Sequence, residues 1–327
     1  MMQSCIRWEI PLASSEHAWI TSDLSPLRAT VSRRLSGQDD ATDLMRLFHG
    51  RGRTFPGLEE VVLDYFAGTL RLGLYSACSA GATSALAAAV SSACAGSRVD
   101  GAWLQWRDGS GAPVEVLFGA PRKEVEGRED GLRCVLRPGA AQNAGLFLDA
   151  RPARNWLRRL AADKRVLNLF SYTCGFSLAA CAGGAREVVN LDMVRSVLDI
   201  GQRNHSLNGF TQARFLPHDL WRSWGALKRR GPFDLVVLDP PSFQRGSFEA
   251  DRDWPRLLKR LDDLVAAGGQ ALVLVNSPFV PRQQLADWRR AYAPSFTISE
   301  TLPASPDFPD VDPDRGLKVQ VWQRSLA

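Results

Sequence analysis

Asp239, Pro240, Pro241, Ser242 and Phe243 follow in succession at the end of the apolar run FDLVVL. Two consecutive prolines lack backbone donors and fix φ, so the carbonyls of such a turn point in set directions instead of pairing in a ladder. The result is a rigid polar rim. Asp239 and the Pro240 carbonyl would accept hydrogen bonds from the edge of a planar base, and Phe243 would stack on its face. Asp239, Pro240 and Phe243 are therefore the candidate catalytic residues. The competing reading is a strand stopped by prolines, with Phe243 packed as core.

Two further groups stand at equivalent places. The run RVLNLF leads into SYTCGF, where Ser171, Thr173 and Gly175 are small or permissive residues at the start of a helix and let a ligand approach backbone N–H groups. This is neither G-x-G-x-x-G nor G-x-x-x-x-G-K-[ST], which argues against dinucleotide and triphosphate binding. About 20 residues on, EVVNLD ends in Asp192, where a carboxylate accepts hydrogen bonds from both hydroxyls of a ribose. The alternative is that Asp192 caps the helix beginning near Met193. Asp219, after ARFLP, would reach an adenine edge or cap the helix LWRSWGAL.

The elements that must bring these residues together alternate in type. After the amphipathic helix RPARNWLRRLAA come RVLNLF, FSLAACA, EVVNLD, RSVLDIGQRNHSLNG, ARFLP, LWRSWGALKRR, FDLVVLD, WPRLLKRLDDLVAA and QALVLVN. Alternating helical and apolar strand patterns imply an α/β fold with a parallel sheet covered on both faces. Ligands bind such sheets beyond the carboxyl ends of the strands, where all three loops would meet. SFTISETL and LKVQVW, joined without a helix, read as a closing antiparallel pair. Before this region, VVLDYF, LRLGLY, SALAAAVSSACA, AWLQWR and VEVLFG give a smaller α+β unit, and Asp130-Gly131 turns a hairpin that bridges the two. The expected division is an arginine-rich N-terminal extension over 1–56, a small α+β domain over 57–125, and an α/β domain over 126–327 that includes the hairpin.

The 327 residues, 45% hydrophobic and 23% charged, describe an ordered protein with about two domains. A net charge of +5 fits a protein that meets phosphate, although an arginine-rich composition alone gives the same excess. Arg33, Arg34, Arg46, Arg51 and Arg53, with Phe48, His49 and Phe55 among the last three, form a candidate RNA contact or a solvated face. The six cysteines lack paired C-x-x-C spacing, so no metal centre is expected. No signal-peptide pattern and no apolar run of about 20 residues is present, so the expectation is a cytoplasmic protein without membrane contact.

VLNLFSYTCGFSLAA, VVNLDMVRSVLDIGQRNHSLNG, VVLDPPSF and NAGLFLDARPARNWL resemble the bacterial large-subunit ribosomal RNA methyltransferases that make 5-methylcytosine and 7-methylguanine in 23S RNA. The resemblance implies a Rossmann-like mixed seven-stranded sheet with its last strand antiparallel, S-adenosylmethionine as cofactor, and 23S ribosomal RNA as partner. It implies that Ser171, Tyr172, Thr173, Gly175 and Asp192 hold the cofactor with the DPPSF turn at the target base. The full set of candidate cofactor contacts adds Phe170, Met193, Asp219 and Asp239. Two departures bear on the chemistry: Cys174 replaces a glycine, and VLVNSPF stands where the 5-methylcytosine members carry a cysteine. Carbon-5 of cytosine needs a thiolate to add to the ring first, and neither Cys174 nor Cys181 is well placed to supply it. Nitrogen-7 of guanine needs only positioning, an effect worth about 7 to 11 kcal/mol. Arg252-Asp253-Trp254 and Asn276-Ser277 also look like the 7-methylguanine branch, so a guanine nitrogen is favoured. A cytosine carbon, a protein or small-molecule acceptor, and a noncatalytic RNA-binding protein stay open, as do monomer and homodimer.

Overall fold

The computed structural model describes residues 23–37, 43–109, 111–241, 243–244 and 248–326, with only the backbone of Phe243 and Gln244. Two sheets organise them. The first has the order β1 (Leu44–His49), β2 (Val61–Phe66), β3 (Thr69–Leu74), β4 (Gly101–Trp106), β5 (Val114–Gly119). Neighbours are antiparallel except β3 and β4, which α2 (Ala80–Ala93) joins as a parallel pair. One face packs Leu63, Leu70, Leu72 and Leu104 beneath α2 and α1 (Ser25–Ser36), which contributes Leu27 and Val31.

The domain boundary expected at Gly57 falls inside this sheet, because β1 is its edge strand. A bulge between Arg46 and Phe48 puts the adjacent Leu47 and Phe48 both in the core. That breaks the two-residue alternation by which a strand is recognised. Helix α1 buries only Leu27 and Val31, too narrow a stripe to be read from sequence.

The hairpin is β6 (Val125–Glu129) and β7 (Leu132–Leu136), with φ of 51° at Asp130 and 81° at Gly131, the left-handed pair of a two-residue hairpin turn. Leu44, Phe66, Val125, Leu136 and Leu178 form one apolar cluster through which the hairpin ties the small sheet to the helix bearing Leu178. Then follow α3 (Arg151–Leu160), β8 (Arg165–Leu169), α4 (Gly175–Ala182), β9 (Glu187–Asp192), α5 (Arg195–Leu207), β10 (Ala213–Pro217), α6 (Leu220–Arg230) and β11 (Phe233–Leu238). A short pair, β12 (Phe243–Gln244) and β13 (Phe248–Glu249), precedes α7 (Ala250–Leu258), β14 (Val265–Val275), α8 (Arg282–Tyr292), β15 (Phe296–Leu302) and β16 (Lys318–Arg324).

The second sheet has the order β10-β9-β8-β11-β14-β16-β15, with β16 antiparallel to both its neighbours and the other pairs parallel. This is the mixed seven-stranded sheet that the resemblance implies. Val236 and Leu238 face one core, and Leu235 and Val237 face the other, which is why β11 reads as a continuous apolar run. Strand order reverses between β8 and β11, and open sheets of this kind bind ligands beyond the carboxyl ends of the strands at such a point. One expectation fails locally. WPRLLKRLDDLVAA is not one helix: α7 stops at Leu258, and Val265-Ala266 already belong to β14.

Candidate active site

The loop between β8 and α4 is held in an uncommon backbone conformation. Phe170, Tyr172 and Cys174 have φ of 56°, 47° and 67°. Left-handed non-glycine residues cost about 1 to 2 kcal/mol each and persist where the surroundings dictate them. Here they are dictated from below and from one side. Asp192 Oδ2 accepts the Tyr172 N–H at 2.9 Å, and Oδ1 accepts the Val194 N–H at 2.9 Å. Asn204 Nδ2 donates to the Thr173 carbonyl at 3.1 Å. From the side, Thr173 Oγ1 donates to the Gly145 carbonyl and Tyr172 OH to the Asn143 carbonyl.

Cys174 explains itself in this setting. Its φ is the one that favours glycine, yet its side chain packs against Gly201 of α5, where an added Cβ would meet Sγ at 2.5 Å. The thiol therefore lies between loop and helix. Beneath the loop runs a buried polar chain: Asn168 Nδ2 donates to Asn190 Oδ1, Asn190 Nδ2 to Ser177 Oγ, and Ser177 Oγ meets His205 Nε2 at 2.8 Å. His205 Nδ1 lies 2.7 Å from the Gly201 carbonyl, and burial keeps the imidazole below its usual range, hence neutral. Sequence reasoning missed this chain. Its signal was an asparagine at the centre of each of two apolar strands.

Beside this loop, β11 ends in Asp239. Burial first, and then the neighbouring Asp149 carboxyl, push Asp239 up to about 7, against the opposing pull of Arg154. Asp149, just before α3, is itself raised by burial and opposed by Arg46 and Arg154. Two carboxyls sharing one site resist ionising together. Asn276, beyond β14, brings Nδ2 to 3.5 Å from Asp149 Oδ2. Arg154 is fixed by a buried bidentate pair with Glu129 of the hairpin, at 2.5 and 2.6 Å. Asp149 and Arg154 lie inside the quoted stretch NAGLFLDARPARNWL, yet neither stands out in it, because their partners are distant in sequence.

Asp149 and Asn276 line a cleft of about 590 Å³ between the two sheets, which Arg315 also lines and whose other wall carries Arg71, Tyr75 and Arg107. The N-terminal arginine and aromatic run divides. Arg46 forms a bidentate pair with Asp64 and Arg51 pairs with Glu60, both on the cleft wall. Phe48 is core and packs on Phe55 at 4.6 Å, and Arg34 pairs with Asp307. The run is thus largely structural. Arg252-Asp253-Trp254 is structural too: buried Asp253 accepts the Glu249 N–H at 2.8 Å, and Trp254 packs on Phe248 and Trp288. The Phe243 side chain lies outside the described residues. Pro240 is buried.

Asp219 caps α6, accepting the Arg222 N–H at 2.9 Å, and the cap accounts for its position. Burial pushes the thiols of Cys94, Cys134 and Cys181 up to about 11, 12 and 12, and raises Cys174 as well. None of these four is poised as a thiolate. Among the described residues no group of His, Cys, Asp and Glu could hold a metal ion, and no helix is long and apolar enough to cross a membrane.

A mixed seven-stranded sheet of this order, with Asp192 and the Ser171–Gly175 loop at its reversal point and an Asp-Pro-Pro turn on the adjoining strand, is the arrangement of a class I methyltransferase. The sequence profile of the S-adenosylmethionine-dependent methyltransferases matches residues 45–323, and the chain belongs to that family. It is 38% identical over 198 residues to the ribosomal RNA large subunit methyltransferase K/L of Pseudomonas putida (strain W619), covering 57% of this chain and 26% of that protein. To the ribosomal RNA large subunit methyltransferase I of Aeromonas salmonicida (strain A449) it is 34% identical over 164 residues, covering 48% and 41%. The matched stretch thus spans less than half of either relative. The crystal structure of SMU.776 complexed with SAH has the same fold, with a TM-score of 0.82 at 22% identity over 91% of this chain and 79% of that one.

The residues present fit the family's cofactor. Ser171 Oγ is buried with no hydrogen-bond partner among the described residues, and each Asp192 oxygen accepts one backbone N–H and keeps a second acceptor site. Met193 and Val194 next to it are 49% and 40% exposed, an apolar ledge of the kind an adenine ring covers.

Proposed function

We propose that this methyltransferase modifies a base of RNA, a guanine nitrogen in the large-subunit ribosomal RNA. The observation that carries the reading is the pair of carboxyls at the end of β11: Asp239 lies beside Asp149, which lines an arginine-rich cleft, and the buried thiols among the described residues are held protonated. S-adenosylmethionine, when bound, supplies an electrophilic methyl group. Asp192 binds the ribose hydroxyls, Ser171, Thr173 and the backbone at Tyr172 and Gly175 line the loop, and Phe170 and Met193 flank it. Asp239 and the Pro240 carbonyl accept hydrogen bonds from the N–H groups of the base edge, and Phe243 stacks on the ring. A ring nitrogen with an exposed lone pair needs neither a base nor a covalent intermediate, so the protein's task is to align it. The names of the two relatives support ribosomal RNA as the acceptor.

The test is transfer of labelled methyl to total RNA from cells lacking this protein, followed by nucleoside analysis. Label in 7-methylguanosine is the expected result. Label in 5-methylcytidine would overturn the argument from the thiols, and label in no nucleoside would overturn RNA as substrate.

A further inference from the structure

The small sheet has an unusual second face. Its first face is core, but on the other, Arg71 and Gln105 are buried at 5% and 1% exposure, where a mainly antiparallel sheet ordinarily meets water. Both side chains are spent on a single stretch of backbone. Arg71 Nη2 donates to the carbonyls of Ala140 and Gln142 at 2.9 and 2.7 Å, and its Nε donates to Gln105 Oε1 at 3.1 Å. Gln105 Nε2 donates to the carbonyls of Ala141 and Gln142 at 2.7 and 3.0 Å. Trp103, two residues from Gln105 on the same strand, lies under Gly139, where an added Cβ would come within 3.1 Å of the ring. One edge of the planar guanidinium thus reaches two carbonyls through Nη2 and the Gln105 amide through Nε, a fixed combination to which a single point donor is less well suited.

The stretch so gripped continues directly into the cofactor loop's side support. Asn143 and Gly145 supply the carbonyls that hold Tyr172 OH and Thr173 Oγ1, and the Ala144 carbonyl returns to the Arg137 N–H at 2.6 Å. Arg71 is an expensive way to hold a turn. Burial brings its guanidinium down to about 10, and Nη1 is buried with no acceptor among the described residues. Apolar side chains of similar volume would cover the same surface more cheaply. What they would not do is set the position of three successive carbonyls.

We propose that Arg71 and Gln105 are positioning residues for the cofactor: the small sheet clamps residues 140–142 so that Asn143 and Gly145 hold the Tyr172 and Thr173 hydroxyls, and with them the loop in which Phe170, Tyr172 and Cys174 are left-handed, in its ligand-ready form. Because Arg71, Gln105, Gln142 and Asn143 also line the cleft, a substrate seated there bears on the same segment. Cofactor and substrate affinities are then coupled, reciprocally. The proposal rests on the cofactor reading of the Ser171–Gly175 loop.

The test is calorimetric titration of the full chain with S-adenosylhomocysteine, without RNA, well below the melting temperature. Arg71→Met and Gln105→Leu are expected to weaken binding about tenfold, within the range of such couplings. Arg71→Lys should recover part of the loss, since an ammonium still donates to two carbonyls. Leu86→Ala, in the core under the opposite face, should lower the melting temperature and leave the affinity as it was. Wild-type affinity in a folded Arg71→Met, or an equal loss in Leu86→Ala, would overturn the clamp. Asp192→Ala separates the two readings. If it weakens binding while Arg71→Met does not, only the clamp falls, and if Asp192→Ala binds as tightly as wild type, the loop assignment falls and the clamp with it.

Discussion

Replacing Asp239 by asparagine should make the protein more stable and less active. Its carboxyl, held at about 7 instead of the 3.8 of an unperturbed aspartate, prefers its proton in the native state. Between those two values the folded protein binds more protons at this site than the unfolded chain, so stability falls as pH rises through that window and levels off above 7. A displacement of about 3 on the pH scale corresponds to about 4 kcal/mol, an upper order of magnitude for the native-state cost of the carboxylate. Asparagine keeps the shape and cannot ionise. Thermal unfolding of Asp239→Asn is therefore expected to exceed wild type by several degrees at pH 8, at about 2 to 4 °C per kcal/mol for a domain of this size, with a smaller gain at pH 5. Methyl transfer should fall in the same variant, because an amide donor replaces an acceptor at the base edge. In the wild type, the rate should climb with pH through about 7, and Asp149→Asn, which removes the second cause of the upward shift, should move that limb to lower pH. An Asp239→Asn gain that is the same at pH 5 and pH 8, or absent, would refute the reasoning.

Gly201→Ala should destabilise by about 1 to 3 kcal/mol through overpacking against Cys174, and Cys174→Gly should restore most of the loss in the double variant, as measured by urea unfolding. His49 is held at about 3 by burial, and by Arg46 and Arg51. Its unfolded form binds the proton first, so about 2 kcal/mol of stability should disappear between pH 6.5 and pH 5, and His49→Gln should lessen that loss. Arg107, exposed on the cleft wall over Tyr75, should contact phosphate. Arg107→Met is expected to reduce the slope of log affinity against log salt for single-stranded RNA by about 0.7 and to leave S-adenosylhomocysteine binding unchanged. An unchanged slope would remove Arg107 from the RNA path.

Local chemistry made much of this protein legible from its residues. Asp130-Gly131 can hardly be anything but a hairpin turn, continuous apolar runs such as FDLVVL announce a sheet buried on both faces, and Asp239-Pro240-Pro241 interrupts a ladder wherever it stands. These are effects of neighbours in the chain, so the α/β fold and the three loops at its crevice follow from them. Other features depend on residues far apart in sequence. The bulge at Arg46–Phe48 is stabilised by a core assembled from α1, α2 and β2, and without that core LMRLFH has no readable period. Cys174 stands where the related enzymes have a glycine, and Gly201, on another element, provides the space for its side chain. The proton affinity of Asp239 depends on burial and on Asp149, ninety positions away, and the role of Arg71 depends on which backbone its guanidinium meets. Desolvation and Coulomb energy depend on distance in space, which pattern along the chain does not encode, and that is why only the tertiary structure decided them.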